Sequence, residues 1–364
     1  MGPPAQRAPF GPAPDGQSRD LQAPLSRSEF VVRCFIAIGI ALVPVLVWFL
    51  FDVILIAIAA LLISALLELG ADPLMRWLKA PRPLALAISG LVIFAVVAGT
   101  AYLFGSRMVA EFQDVVQLAA SGQGDIVNSI QSSSLGKMLL GHVQEGVNLV
   151  GLIPSVFKVS ASLLGGVVVA VVAGVFFVAQ PNLYLYGLVQ LFPPRLHREV
   201  EETIVAVGTS LRLWLLGQLI EMVMIGALST LAVWMIGLPS FLALGLIAGI
   251  AEFIPYVGPI IAAIPAILVA ATQSFDAVIW TIVAYLLIHQ AEGHLIMPFI
   301  QRHMVFIPPA VILLGIVAIG SLFGVAAIAF ASPLAVLIFV LVKKLYVRDT
   351  LGEETPVPGE DDAR

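Results

Sequence analysis

The sequence predicts an all-α polytopic membrane protein. It has about six full spans, two broken or re-entrant helical hairpins and an extracytoplasmic amphipathic helical segment. Three observations carry this. The 364 residues are 60% hydrophobic and only 11% charged, where a soluble domain carries about 25% charged residues. The apolar residues gather into eight regions, each near or above the ~20 residues needed to cross a bilayer. Two of those regions are too long for one crossing and are interrupted by proline and glycine.

The elements follow in order. Residues 1–29 are rich in Pro, Gly, Gln, Ser and Arg with no apolar run, the composition of a disordered tail and not of a signal peptide. Residues 30–104 hold the first three spans, Val31–Leu50, Val53–Leu69 and Pro83–Phe104. Residues 105–155 are more polar, and stretches such as MVAEFQDVVQL place apolar residues at helical spacing. They read as amphipathic helices lying on the membrane surface or against the spans. Residues 156–210 supply the fourth span, Val156–Gln180, and a connector. Residues 211–348 hold two long spans, Leu211–Ile236 and Asp276–Met297, and the two broken regions, Ser240–Thr272 and Pro308–Val342. Residues 349–364 form a second disordered, acidic tail.

Charge position sets orientation. Arg7, Arg19, Arg27 and Arg33 precede the first span, and Arg76, Lys79 and Arg82 follow the second. Arg195, Arg198 and Arg212 fall in the next even connection, and Lys343, Lys344 and Arg348 close the last region. The 105–155 segment has Arg107 and Lys137 against Glu111, Asp114, Asp125 and Glu145. The positive-inside rule then places both termini in the cytoplasm and 105–155 outside. No basic stripe with interleaved aromatics is present, which excludes nucleic acid as a partner. The single cysteine, Cys34, excludes an intrachain disulfide.

Ser240–Thr272 as one straight helix would run about 50 Å, well beyond the ~30 Å hydrocarbon layer. Split at Pro255–Gly258, each arm runs about 21 Å and is too short to cross. Two short arms meeting at an irregular tip make a re-entrant hairpin. Pro308–Val342 has the same property, with Gly320, Ser321 and Gly324 near its middle and Ser332-Pro333 later. The alternative is that both regions cross. Arg302 and His303, in a loop without acids, favour the hairpins, which leave that loop cytoplasmic. Broken backbone at membrane depth is tolerated only when buried or lining a wet cavity, and paired broken segments point to a transport site.

Several stretches carry a family resemblance. They are Gly217-Gln218, Gly237-Leu238-Pro239, EFIPYVGPIIAAIPA from Glu252 to Ala266, QAEGHLIMP from Gln290 to Pro298, Ser321-Leu322-Phe323-Gly324 and Ser332-Pro333-Leu334. On these the chain resembles the autoinducer-2 exporter family of bacterial membrane proteins. His294 and Pro308-Pro309 depart from the family's pattern, and Glu221 is not one of its usual positions. The resemblance implies a permease in the bacterial cytoplasmic membrane and a homo-oligomer. Members have been associated with export of autoinducer-2, and others with exchange of sodium or lithium for protons.

Ionisable residues at membrane depth are costly, so function is their default reading. Glu252 stands one turn before Pro255, where freed carbonyls can join it around a cation; equally, it can accept from orphan N–H groups at the break. Pro255, Gly258 and Pro259 shape the tip: the prolines remove donors, and Gly258 permits backbone that other residues resist. Gln218, Glu221 and Ser229 share one arc of a helix, and His289 and Glu292, three apart, share a face. Gln290 and His294 lie on an adjacent face. Tyr285 and several tryptophans read as stacking groups or interfacial anchors.

The expected function is a secondary transporter of a small polar solute or ion, coupled to Na⁺ or H⁺ and holding no cofactor or metal, with the hairpin tips forming its site. A Na⁺(Li⁺)/H⁺ antiporter is the alternative, and a scaffold without transport activity a distant one. No G-x-x-x-x-G-K-[ST] loop supports ATP use, and no His-Glu-x-x-His, paired intramembrane aspartates or nucleophile with base supports an intramembrane enzyme.

Overall fold

The computed structural model describes residues 27–121, 165–301 and 307–353. The described residues are helical, without strands. The expected tail 1–29 lies almost wholly outside them, as do residues 122–155 of the amphipathic segment, Arg302 and His303, and residues 354–364.

Contacts divide the chain into two units, residues 1–52 and 53–364. Of the first unit only the beginning of helix α1 (Arg27–Trp77) is described. The first two expected spans are here one 51-residue helix. The physical reason is plain: only Phe51-Asp52 separates them, and neither residue breaks a helix. Helix α2 (Arg82–Ser121) likewise runs past Phe104, so MVAEFQDVVQL belongs to the same helix as the third expected span, although the part apolar enough to cross ends at Thr100. Between Gly105 and Gly122 there is no glycine or proline to stop it.

In the second unit, α3 (Gly165–Ala179) turns by 92° into α4 (Pro181–Val189). The proline lacks the N–H that a straight continuation would use. Gly174 lets α3 close on α1: a Cβ there would stand 2.8 Å from the carbonyl of Ala60. Ser89 of α2 donates to the Leu67 carbonyl at 2.9 Å. Helix α5 (His197–Ile236) has 40 residues, about 60 Å at 1.5 Å per residue. That is twice the hydrocarbon layer, and its polar start, HREVEETIVAVGTSLR, is the excess. Gly237, at φ 85°, closes it, with the Leu238 N–H returning to Val233 O.

The region expected as the first hairpin is a helix–turn–helix. Helices α6 (Phe241–Ala251) and α7 (Gly258–Ala271) flank the turn 252–257 and pack on each other. Gly226, Gly245 and Gly249 bring α6 onto α5: a Cβ on Gly226 would stand 3.3 Å from Gly249 Cα, one on Gly245 2.8 Å from Gly226 O and one on Gly249 2.7 Å from Met222 O. Small residues permit such backbone contact in membranes. Helix α8 (Phe275–Ala291), capped by the Ser274 hydroxyl accepting from Ala277 N–H at 3.1 Å, packs on α7 and α5. Val233, Leu244, Ala248, Ala262, Ala266 and Ala277 form the core of this group.

A π-helical segment, Glu292–Ile296, joins α8 to α9 (Met297–Gln301). The second broken region is α10 (Pro309–Phe323), a single turn α11 (Val325–Ile328) and α12 (Ala331–Leu341). Its break is at Gly324, φ 87° and ψ 174°, a conformation open essentially to glycine alone. Ser332-Pro333 instead lie buried in the first turn of α12, where proline is tolerated. Helix α12 packs on α5 and α10.

Among the described residues, three helices are long and apolar enough to cross a membrane, within Val45–Leu78, Arg82–Thr100 and Pro194–Ile236, and a fourth is added if α3–α4 is one bent span. The short apolar helices α6, α7 and α10 belong to the two broken regions.

Candidate functional site

The candidate site lies where α5, the tip of the first broken region and α8 meet. Its geometry starts at residues 252–257. Glu252 ends α6, and the chain then turns through Pro255 and Tyr256, whose φ of 66° is unusual for a bulky side chain. Gly258 is not itself in the left-handed region, contrary to the conformational role expected for it. Its reason is space: a Cβ there would run into the Ala251 carbonyl and stand 2.9 Å from Glu252 Cα. Trp214 of α5 meets Phe253 edge to face at 6.0 Å and supports the tip from one side.

The Gln218 amide fixes the tip to α5. Its Nε2 donates to the Glu252 backbone carbonyl at 2.9 Å and to Glu221 Oε2 at 3.3 Å. This is the pairing of Gln218 with the tip that its shared arc with Glu221 makes available. On α8 and the turn after it, His289 Nδ1 lies 3.1 Å from Glu292 Oε2, so the i, i+3 pair is formed. The local π geometry re-spaces the helix face at Glu292, whose side chain is buried while that of His289 stays half exposed.

The Glu252 side chain lines one cavity with His289 and Glu292, while its backbone carbonyl is the one that Gln218 binds. Glu252 is 1% exposed, and neither of its carboxylate oxygens has a hydrogen-bond partner. Glu221 Oε1, the Ser229 hydroxyl and the Tyr285 hydroxyl are buried and unpartnered too. A cavity joins Glu252, Ser229, Tyr285, His289, Glu292 and Pro259. About 10 Å³ of it is open to the centre of a water-sized sphere, close to what one water requires. Glu292 acts electrostatically on both Glu221 and Glu252, and Glu221 acts on Glu252.

Buried acceptors left without a donor are costly, and buried carboxylates without a counter-charge are more so. A proton or a small cation relieves that cost. Backbone or amide donors do not do so here: the expected alternative, in which Glu252 accepts from orphan N–H groups beyond the break, is not what these atoms do. Among the described residues no group of three or more His, Cys, Asp or Glu is spaced to hold a metal ion.

The structure therefore brings together Gln218, Glu221, Glu252, Pro259, His289 and Glu292. Pro255 is buried within the turn, where its carbonyl accepts from Val257 N–H at 2.8 Å, and it does not line the cavity. Gln290 is on the exposed face of α8, and its carbonyl accepts from His294. Ile225 lines the cavity without being singled out by the sequence, and Tyr285 lines it although the sequence marks it only as a stacking group or interfacial anchor. The available signal was spacing: Tyr285, Ile288, His289 and Glu292 fall at i, i+3, i+4 and i+7 on one face of α8.

The profile of the AI-2E family transporters matches residues 36–346. A Thermotoga maritima protein named "Putative transport protein" is 25% identical over 285 residues, 76% of this chain and 86% of its own. The Bacillus subtilis "Putative transport protein YrrI" is 35% identical over 136 residues, 37% of this chain and 38% of its own. Another from Bacillus subtilis, YueF, of the same description, is 26% identical over 159 residues, 44% of this chain and 42% of its own. The matched stretches thus span well under half the length of the two Bacillus proteins.

Proposed function

This chain is a member of the AI-2E transporter family, and on that premise we propose that it is an ion-coupled secondary transporter whose coupling site is the cavity at Glu252. The observation that carries the reading is a fully buried carboxylate with both oxygens unpartnered, facing hydroxyls that are unpartnered as well. Such a carboxylate is served by a proton in one state and a bare monovalent cation in another. Exchange of the two is what an antiporter needs. Glu292, held by His289, supplies a second carboxylate through which a proton passes toward the half-exposed imidazole.

The size of the cavity favours a cation and proton over an organic solute at this point in the fold. A sugar-like molecule such as autoinducer-2 needs far more room than one water occupies. On this reading cation/proton antiport is the primary activity, and export of a small polar solute takes a wider path opened by movement of the tip. The protein works in the bacterial cytoplasmic membrane as a homo-oligomer with both termini inside, and the broken regions re-enter from the side on which they begin.

The test is reconstitution into liposomes holding a pH-sensitive dye, with imposed Na⁺ and Li⁺ gradients and empty liposomes alongside. Proton movement that follows the cation gradient supports the reading. A flat trace from folded, inserted protein overturns it and moves the assignment to an organic solute, measured next by labelled-solute flux.

A further inference from the structure

A second concavity lies away from the cavity at Glu252, where α1, α2 and α3 meet. It is a groove of about 410 Å³, open along one side and lined by Leu67, Leu86, Ala87, Val175 and Val178. Gly90 lines it without a side chain, and a Cβ there would stand 3.4 Å from the Leu67 side chain. Arg82 closes one end and is the one charged residue in it.

The surroundings of Arg82 place that end at a membrane–water boundary. It opens α2, shortly after the end of α1, where Trp77 stands 84% exposed between Arg76 and Lys79. Exposed tryptophan with basic neighbours is the signature of the interface. Beyond the turn, Leu84 and Leu91 face outward, a surface that belongs in hydrocarbon. The groove therefore runs from the headgroup level into the apolar layer.

Charge supplies the identity of the occupant. Arg82 donates from Nη2 to Glu68 Oε1 and to the Val178 carbonyl, both at 3.2 Å. A guanidinium has five N–H donors, so Nε and Nη1 remain to take a phosphate oxygen. Arg212 pairs with Asp72 and also reaches Glu68. Counting Arg76, Lys79, Arg82 and Arg212 against Glu68 and Asp72, this edge of the protein carries a net positive charge. A zwitterionic headgroup gains little from that excess, whereas an anionic one gains directly.

We propose that this groove is a lipid site. It holds one acyl chain of an anionic phospholipid, with the phosphate on Arg82 and additional attraction from Arg76 and Lys79. The proposal does not depend on what the protein transports.

Native mass spectrometry of the detergent-solubilised full chain, with phosphatidylglycerol or phosphatidylcholine added, reads it directly. The wild-type protein is expected to retain one phosphatidylglycerol several-fold more strongly than phosphatidylcholine. Ala87→Phe, which fills the groove from an exposed position, removes retention of both. Arg82→Gln removes the preference for the anionic lipid. Because Arg82 also bonds Glu68 and Val178, Arg76→Gln serves as the second variant: it alters only an exposed charge and lowers the preference by a smaller factor. Equal retention of the two lipids by the wild type overturns the proposal. So does unchanged retention in Ala87→Phe. Disulfide cross-linking between copies through Ala87→Cys in a Cys34→Ser background would show that a second copy covers the groove, which also overturns it.

Discussion

Glu68 and Asp72 on α1 each meet an arginine, Arg82 at 3.2 Å for the first and Arg212 for the second, with side chains a quarter to a third exposed. Glu252 is the same chemistry under opposite treatment: it is fully buried, with no cation and no hydrogen-bond donor at either oxygen. The first pair of acids is structural. Their arginines come from α2 and from α5, so the group holds three helices together near the edge of the membrane. The second arrangement cannot be explained by stability, since an unpartnered buried carboxylate costs free energy. What the contrast teaches is that pairing, more than the presence of an acidic residue, separates the acids that hold the fold from the one proposed to carry an ion.

Substitutions at the two kinds of acid and around the tip should differ widely in effect. Gly258→Val puts atoms where the Ala251 carbonyl already is. Overpacking of that kind costs about 1–3 kcal/mol; the thermal midpoint in detergent should fall clearly and ion-coupled flux should vanish. If Gly258→Val melts like the wild type, the tight tip described here is wrong. Tyr285→Phe makes the opposite trade. It removes a buried hydroxyl that has no partner, so stability should hold or rise. Flux should drop, because one lost ligand is worth about 1 kcal/mol, roughly fivefold. Unchanged flux would take Tyr285 out of the site. Gln218→Leu should lower both stability and flux, since one amide nitrogen serves both Glu252 O and Glu221; a shift in melting alone would leave it as packing. The smallest effect is expected of Asp72→Asn. A partly exposed pair is worth about 1 kcal/mol or less, so melting moves slightly and flux does not.

Much of this was legible in the letters. Prolines and a glycine inside an apolar stretch marked the turn at 252–257, because they cannot all serve one straight helix. The arc shared by Gln218, Glu221 and Ser229 and the i, i+3 spacing of His289 and Glu292 were readable for the same reason: spacing fixes which side chains share a face. Other features were not. Hydropathy placed a loop at Asp52, but one aspartate among apolar residues does not stop a helix, and α1 runs through it. The role of Gly258 could not be read from its identity, since a glycine required for φ and one required for space look alike. Tyr285 looked like an interfacial anchor until packing carried α8 over the cavity. That Glu252 lacks a partner is a property of three elements far apart in sequence, and no local pattern encodes it.

The most direct measurement compares the two kinds of acid in one assay. Glu252→Gln and the double variant Glu68→Gln/Asp72→Asn would be reconstituted side by side with the wild type, and cation-driven proton flux recorded at equal amounts of folded protein. The account predicts that Glu252→Gln loses coupled flux while the double variant keeps most of it. Wild-type flux from Glu252→Gln, or an equal loss in both, would contradict it.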